Sequence, residues 1–169
     1  MLFNHDIEFL SFAGKVGTLE ETTAERYVPN GTTAMLDAVG QTLKRFEKKV
    51  KDSENTYYLV IIISDGEEND SKEFTHERIA EMIQKRQQTG RWTFSYMGAN
   101  QDLSDLSKRL NIPKSNVATY TSSGKGTLIG MGALSKSTMG FLDKRSRGTA
   151  TSDKFFRDED WSSPDFVDT

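Results

Sequence analysis

Two short segments carry the oxygen donors with which this chain could do chemistry. Gly31-Thr32-Thr33 opens an apolar pattern of helical period, and Ser64-Asp65-Gly66 closes an uninterrupted apolar run. A threonine hydroxyl and an aspartate carboxylate are hard donors that suit Mg2+, an ion that keeps several waters and takes one or two protein carboxylates. Such a site leaves a coordination position open to an incoming ligand. Other chemistries are poorly served. The 169 residues include no cysteine, which excludes thiolate nucleophiles, zinc–thiolate sites and iron–sulfur clusters together. His5 and His76 stand alone, with no serine or carboxylate at triad spacing, and read as surface residues. Ser123-Gly124-Lys125-Gly126-Thr127 lacks the upstream glycine of a phosphate loop and carries Gly where Ser or Thr should follow the lysine. The acidic run Glu67-Glu68-Asn69-Asp70 reads as a solvated loop rather than a second metal site.

The donors need elements to hold them. After the turn at Pro29-Asn30-Gly31, the residues Met35, Leu36, Val39, Leu43, Phe46 and Val50 recur at three- and four-residue spacing. This predicts an amphipathic helix over Thr33 to Lys51, with Thr32 or Thr33 capping its free N–H groups and lysines at its end. Tyr57 to Ser64 is rich in aromatic and β-branched residues without alternation, the pattern of a strand buried on both faces of a parallel sheet. Asp65 therefore stands at the carboxyl end of a strand, where open α/β sheets bind their ligands.

The remaining chain extends the same pattern. Met1 to Phe3 and Ile7 to Ala13 read as a hairpin across Asn4-His5-Asp6, and Phe74 to Gln88 as a helix with Ile79, Met82 and Ile83 on one face. Trp92 to Met97 is a strand, Asp102 to Leu110 a short helix capped by Asp102, and Val117 to Tyr120 a short strand. Gly126 to Lys144 is a helix with Leu128, Met131, Leu134, Met139 and Leu142 available for burial; Gly126, Gly130 and Ala133 form an edge suited to close approach to a sheet. Strands alternating with helices predict an α/β fold, an open, doubly wound, mostly parallel sheet with helices on both faces. Residues 1–144 form the domain and 145–169 a polar C-terminal tail. That tail is either mobile or docks its aromatics, Phe155, Phe156, Trp161 and Phe166, on this domain or on a partner.

Charge narrows the partners. With 22 basic against 25 acidic side chains and no long basic block, the chain lacks the electrostatic footprint of a nucleic-acid binder. Its longest apolar run is too short to span a bilayer, and its amino terminus lacks a secretory signal pattern, so a cytoplasmic location without membrane contact is expected.

Two blocks carry a family resemblance. Tyr27-Val28-Pro29-Asn30-Gly31-Thr32-Thr33-Ala34-Met35-Leu36-Asp37-Ala38, followed by Leu59-Val60-Ile61-Ile62-Ile63-Ser64-Asp65-Gly66-Glu67-Glu68-Asn69, resembles the von Willebrand factor A domain at the second and third parts of its metal-ion-dependent adhesion site. The segment Tyr96-Met97-Gly98-Ala99-Asn100-Gln101-Asp102 and the terminal helix with Gly132-Ala133-Leu134-Ser135 are similar to bacterial and phage single-domain members. The resemblance implies that Thr33 is the metal-coordinating threonine, with Thr32 one position away as the alternative. It also implies that Asp65 is the aspartate that reaches the metal through water. The family's first metal block, Asp-x-Ser-x-Ser after its first strand, has no counterpart, because the chain opens where the family's second strand would stand.

These implications set the functional expectation. They describe a non-enzymatic protein-binding module with a partial adhesion site, one that binds Mg2+ (or Mn2+ as its substitute) weakly or not at all and meets an acidic side chain of a protein partner. A metal-dependent phosphoester hydrolase using Asp65, Glu67 and Glu68 is the alternative, as is a fragment that needs an upstream segment or a partner chain. In the doubly wound strand order, the absent strand would lie between Met1–Asn4 and Tyr57–Ser64. Those two strands are then expected to pair directly, or to pair with a strand from another chain or an upstream segment.

Overall fold

The computed structural model describes residues 1–12, 14–19, 23, 31–49, 56–100, 103–149 and 151–156. The turn residues Pro29 and Asn30, the helix cap expected at Asp102, and Trp161 and Phe166 of the tail lie outside the described residues. The fold is mixed α/β, with four α-helices and a three-stranded parallel sheet among the described residues. The chain divides into two compact units, Met1–Glu54 with Gly66–Ile79, and Asn55–Asp65 with Ala80–Thr169.

The first unit begins with the expected hairpin. Strand β1 (Leu2–Phe3) pairs antiparallel with β2 (Ile7–Glu8), with Leu2 opposite Glu8 and Phe3 opposite Ile7. Asn4 makes the turn: its side-chain oxygen accepts from the Asp6 N–H at 2.7 Å, an Asx-type closure that suits a tight reversal. Helix α1 (Met35–Lys49) follows, burying Met35, Leu36, Ala38, Val39 and Leu43. Its last described turn ends in Lys48 and Lys49, cations where the helix dipole favours them. The Arg45 guanidinium lies over the rings of Phe9 and Phe12, 4.3 and 4.6 Å from their centroids, and covers the aromatic end of the hairpin segment. Helix α2 (His76–Gln87) begins in this unit.

The second unit holds the sheet. Strands β3 (Tyr58–Ser64), β4 (Trp92–Ala99) and β5 (Val117–Tyr120) run parallel in the order β3-β4-β5. Tyr58 stands opposite Trp92, and the ladder continues in register to Ser64 opposite Gly98. Burial differs from the sequence expectation. The apolar run of β3 is half-buried over Tyr58 to Ile61, and Ile63 is 37 % exposed, whereas β4 is buried from Thr93 to Ala99. Position in the sheet decides this: β4 has a strand on each side, while among the described residues β3 pairs only with β4. Among the described residues the direct pairing expected between the opening strand and β3 is not formed; β1 and β3 belong to separate sheets. The middle strand also carries Thr93 and Ser95, fully buried on one face, with hydroxyls that find no partner among the described residues.

Helix α3 (Ser104–Arg109) precedes β5, and helix α4 (Gly124–Ser146) follows it. Ser123 caps α4, its hydroxyl accepting from the Gly126 N–H at 3.0 Å. The face that α4 buries is not the one the large side chains marked. Gly126, Gly130, Ala133, Leu134, Ser137 and Phe141 are buried, while Leu128, Met139 and Leu142 are 75, 69 and 57 % exposed. The small residues set the choice. A Cβ on Gly126 would lie 2.3 Å from the Thr121 carbonyl oxygen, so only glycine lets the helix run this close to the end of β5.

Beyond α4 the chain returns to the core. Phe155 and Phe156 are buried beside Met97, Ala99, Tyr120, Leu134 and Phe141, and the two rings meet edge to face at 4.8 Å. The buried Asn116 fixes this return. Its amide donates to the Phe94 and Ser152 carbonyls at 2.9 and 2.7 Å, and its oxygen accepts from the Phe155 N–H at 2.8 Å. Of the two readings of the tail, docking on this domain holds for these two aromatics. Phe155→Ala is expected to cost about 3–5 kcal/mol of stability, measured by chemical denaturation; a cost below about 1 kcal/mol would show that the ring is not part of the core.

Candidate functional site

The start of α1 and the acidic segment after Asp65 form one hydrogen-bonded lattice within the first unit. A helix start leaves its first N–H groups without intrahelical partners. Here they are met from outside the helix. Asn69 Oδ1 accepts from the Thr33 N–H at 2.8 Å, the Asn4 carbonyl from Ala34 at 2.8 Å, Glu68 Oε2 from Leu36 at 2.8 Å, and Ser71 Oγ from Asp37 at 3.1 Å. Glu68 does more than cap: its Oε1 accepts from the N–H groups of Asp70 and Ser71, and its Oε2 also from the Ser71 hydroxyl at 2.8 Å. The Thr33 carbonyl in turn accepts from the N–H groups of Asn69 and Asp70.

The exchange is reciprocal. Asp37 sits in the first turn of α1 and is 8 % exposed. Its carboxylate accepts from three consecutive backbone N–H groups, Lys72 at 2.8 Å and Glu73 and Phe74 at 2.9 Å. A carboxylate has lone pairs enough for all three bonds, and hydrogen bonds to a charged acceptor are the stronger kind. Glu73 closes the outer edge through Lys44 at 2.8 Å and the Gln41 amide at 3.2 Å.

The expectation of a solvated acidic run fits the exposed Glu67, whereas Glu68, Asn69 and Asp70 act, together with Ser71, as helix-capping and loop-closing groups. Asp37 is a structural residue that sequence reasoning missed. The available signal was a carboxylate in the first turn of a helix, where the dipole favours anions, flanked by core residues.

Thr32 and Thr33 take different roles. The Thr32 hydroxyl donates to Asp70 Oδ2 at 2.6 Å, and this bond, ahead of the Lys72 charge, holds the Asp70 carboxyl below the usual carboxylate value against a smaller opposing effect of burial. The Thr33 hydroxyl takes part in none of the hydrogen bonds of the lattice. It lies against Gly66, where a Cβ would come within 2.6 Å of Thr33 Oγ1. A side chain at position 66 would displace the hydroxyl, which explains glycine after Asp65.

Asp65 belongs to the second unit, at the end of β3, and is exposed, as is Glu67 of the first unit. Neither carboxylate has a hydrogen bond or ion pair among the described residues. No group of three or more His, Cys, Asp or Glu side chains able to hold a metal ion occurs among the described residues. Nor is any helix among them long and apolar enough to cross a membrane. His5 pairs with its neighbour Asp6 at 3.2 Å on the hairpin turn.

No family model matches the chain, and neither the curated proteins nor the solved structures contain a significant match to it.

Removing the Asp37 carboxylate strands three backbone donors. Asp37→Ala is expected to destabilise the fold by about 2–3 kcal/mol in chemical denaturation, and an effect within about 0.5 kcal/mol would refute the capping role. For Asp70, a lowered folded pKa means that its stabilising contribution is complete above the unfolded value of about 3.9 and is lost as the pH falls through the folded value. Thr32→Val should move the Asp70 pKa up in a carboxyl-detected NMR titration; an unmoved pKa would mean that the hydroxyl is not its cause.

Proposed function

We propose that the chain is a protein-binding module of the von Willebrand factor A type, carrying a partial metal-ion-dependent adhesion site whose remaining donors are Thr33 and Asp65. One observation carries this reading: Thr32, Asp37, Glu68, Asn69, Asp70 and Ser71 are consumed in the capping lattice, whereas the Thr33 hydroxyl and the Asp65 carboxylate, together with Glu67, are left over. A hydroxyl and a carboxylate are the donor types that Mg2+ takes, so the residues fit the ion chemically. Two protein donors against a tightly held hydration shell make for weak binding. The ion would supply a Lewis-acidic position for the acidic side chain of a protein partner; Thr33 and Asp65 would orient it.

Strand order supports the finer architecture. The sequence β3-β4-β5 corresponds to the 4-5-6 half of the doubly wound order 3-2-1-4-5-6, and among the described residues β3 stands at the edge where strand 1 of that order would pair. A strand supplied by an upstream segment or by another chain would complete the sheet there. The hydrolase alternative is weakened by Glu68, whose two oxygens already accept four hydrogen bonds.

Calorimetric titration tests the proposal. Weak heats with Mg2+ and Mn2+ are expected from the wild-type chain and should vanish in both Thr33→Ala and Asp65→Ala. Binding that survives both substitutions would place the ion elsewhere. Phosphoester turnover dependent on Mg2+ or Mn2+ and abolished by Asp65→Ala would replace the binding module with the hydrolase.

A further inference from the structure

Helix α4 leaves a second face unused. Opposite the face packed on β5, the residues Leu128, Gly132, Ser135, Met139 and Leu142 follow one another at spacings of four, three, four and three, the repeat of a two-helix seam. All five are exposed, and the three large ones are among the most exposed apolar side chains of the described chain. The seam spans about 21 Å of helix. Its pattern reads large, small, small, large from Leu128 to Met139, and so reads the same in either direction. A stripe with that property is self-complementary about a two-fold axis near its centre, the geometry of an isologous dimer.

We propose that this face of α4 binds a second copy of the chain, with the two α4 helices antiparallel. Leu128 of each copy then meets Met139 of the other, and Gly132 meets Ser135, so that the backbones approach closely at the axis. A Cβ on Gly132 meets nothing within 4 Å in the single chain, which leaves that space for a neighbouring helix. Charge selects the direction. The antiparallel arrangement lays the exposed Lys125 across Leu142 and beside Asp143 of the second copy, twice per dimer, with the lysine stem on the apolar surface and its ammonium joining the Arg147 guanidinium that Asp143 already holds at 2.8 Å. A parallel pair would instead set Lys125 against Lys125 and Gly132 against Gly132, with like charges at one end and a gap near the middle. An interface of this length belongs to the small, reversible class, below about 1,200 Å2. This inference does not depend on the metal-site reading.

Sedimentation equilibrium of the full chain across a concentration series tests it. The wild type is expected to shift from the 19.0 kDa monomer to twice that mass as concentration rises. Gly132→Leu, which the isolated helix accommodates, and Leu128→Glu/Met139→Glu should stay monomeric with unchanged circular dichroism. Lys125→Asp should weaken association by about tenfold, and Lys125→Asp/Asp143→Lys should restore it. A wild type that stays monomeric throughout, or a dimer that tolerates Gly132→Leu, would overturn the proposal.

Discussion

The first unit depends on a two-way exchange of carboxylates and backbone N–H groups. Glu68, from the loop, caps the start of α1, and Asp37, from the start of α1, caps the loop residues that lead to α2. Each closes the donors that the other segment leaves open, so neither conformation is satisfied without the other. The constraint also fixes what the acidic segment can do. A carboxylate that accepts several backbone N–H groups is already a committed ligand, and releasing it to a metal would strand those groups. Two acidic side chains of this stretch, Asp65 and Glu67, stay outside the exchange.

In the second unit one amide plays the corresponding part. Asn116 ties the middle strand β4 to the segment that follows α4, through the Phe94 carbonyl on one side and the Ser152 carbonyl and Phe155 N–H on the other. Phe155 and Phe156 thereby complete the core begun by Met97 and Tyr120. The small residues of α4 let the helix rest close on the end of β5, and its larger side chains at 128, 139 and 142 are left exposed.

Much of this was legible in the sequence, and the failures share a cause. Helix α1, the hairpin, β5 and the alternation of strands and helices follow from periodicity and turn chemistry, which are local. Burial is not local. The apolar run of β3 reads as a central strand, yet β4, with its Thr93 and Ser95, is the one enclosed by neighbours. In α4, hydrophobicity pointed to Leu128, Met139 and Leu142, whereas close contact with β5 required the glycine face. The role of Asp37 depends on a segment 35 residues away along the chain, beyond any local pattern. The distinction between Thr32 and Thr33 likewise needed Asp70, which takes the first and leaves the second.

Amide hydrogen exchange in the native protein tests the central claim most directly, that the acidic segment is a structural cap. Lys72, Glu73 and Phe74 lie outside any helix or strand, so a solvated loop would exchange them rapidly. The account predicts that these amides exchange slowly, with protection close to that of Leu36 and Asp37 at the start of α1. Rapid exchange of Lys72 to Phe74 beside a protected α1 would contradict it.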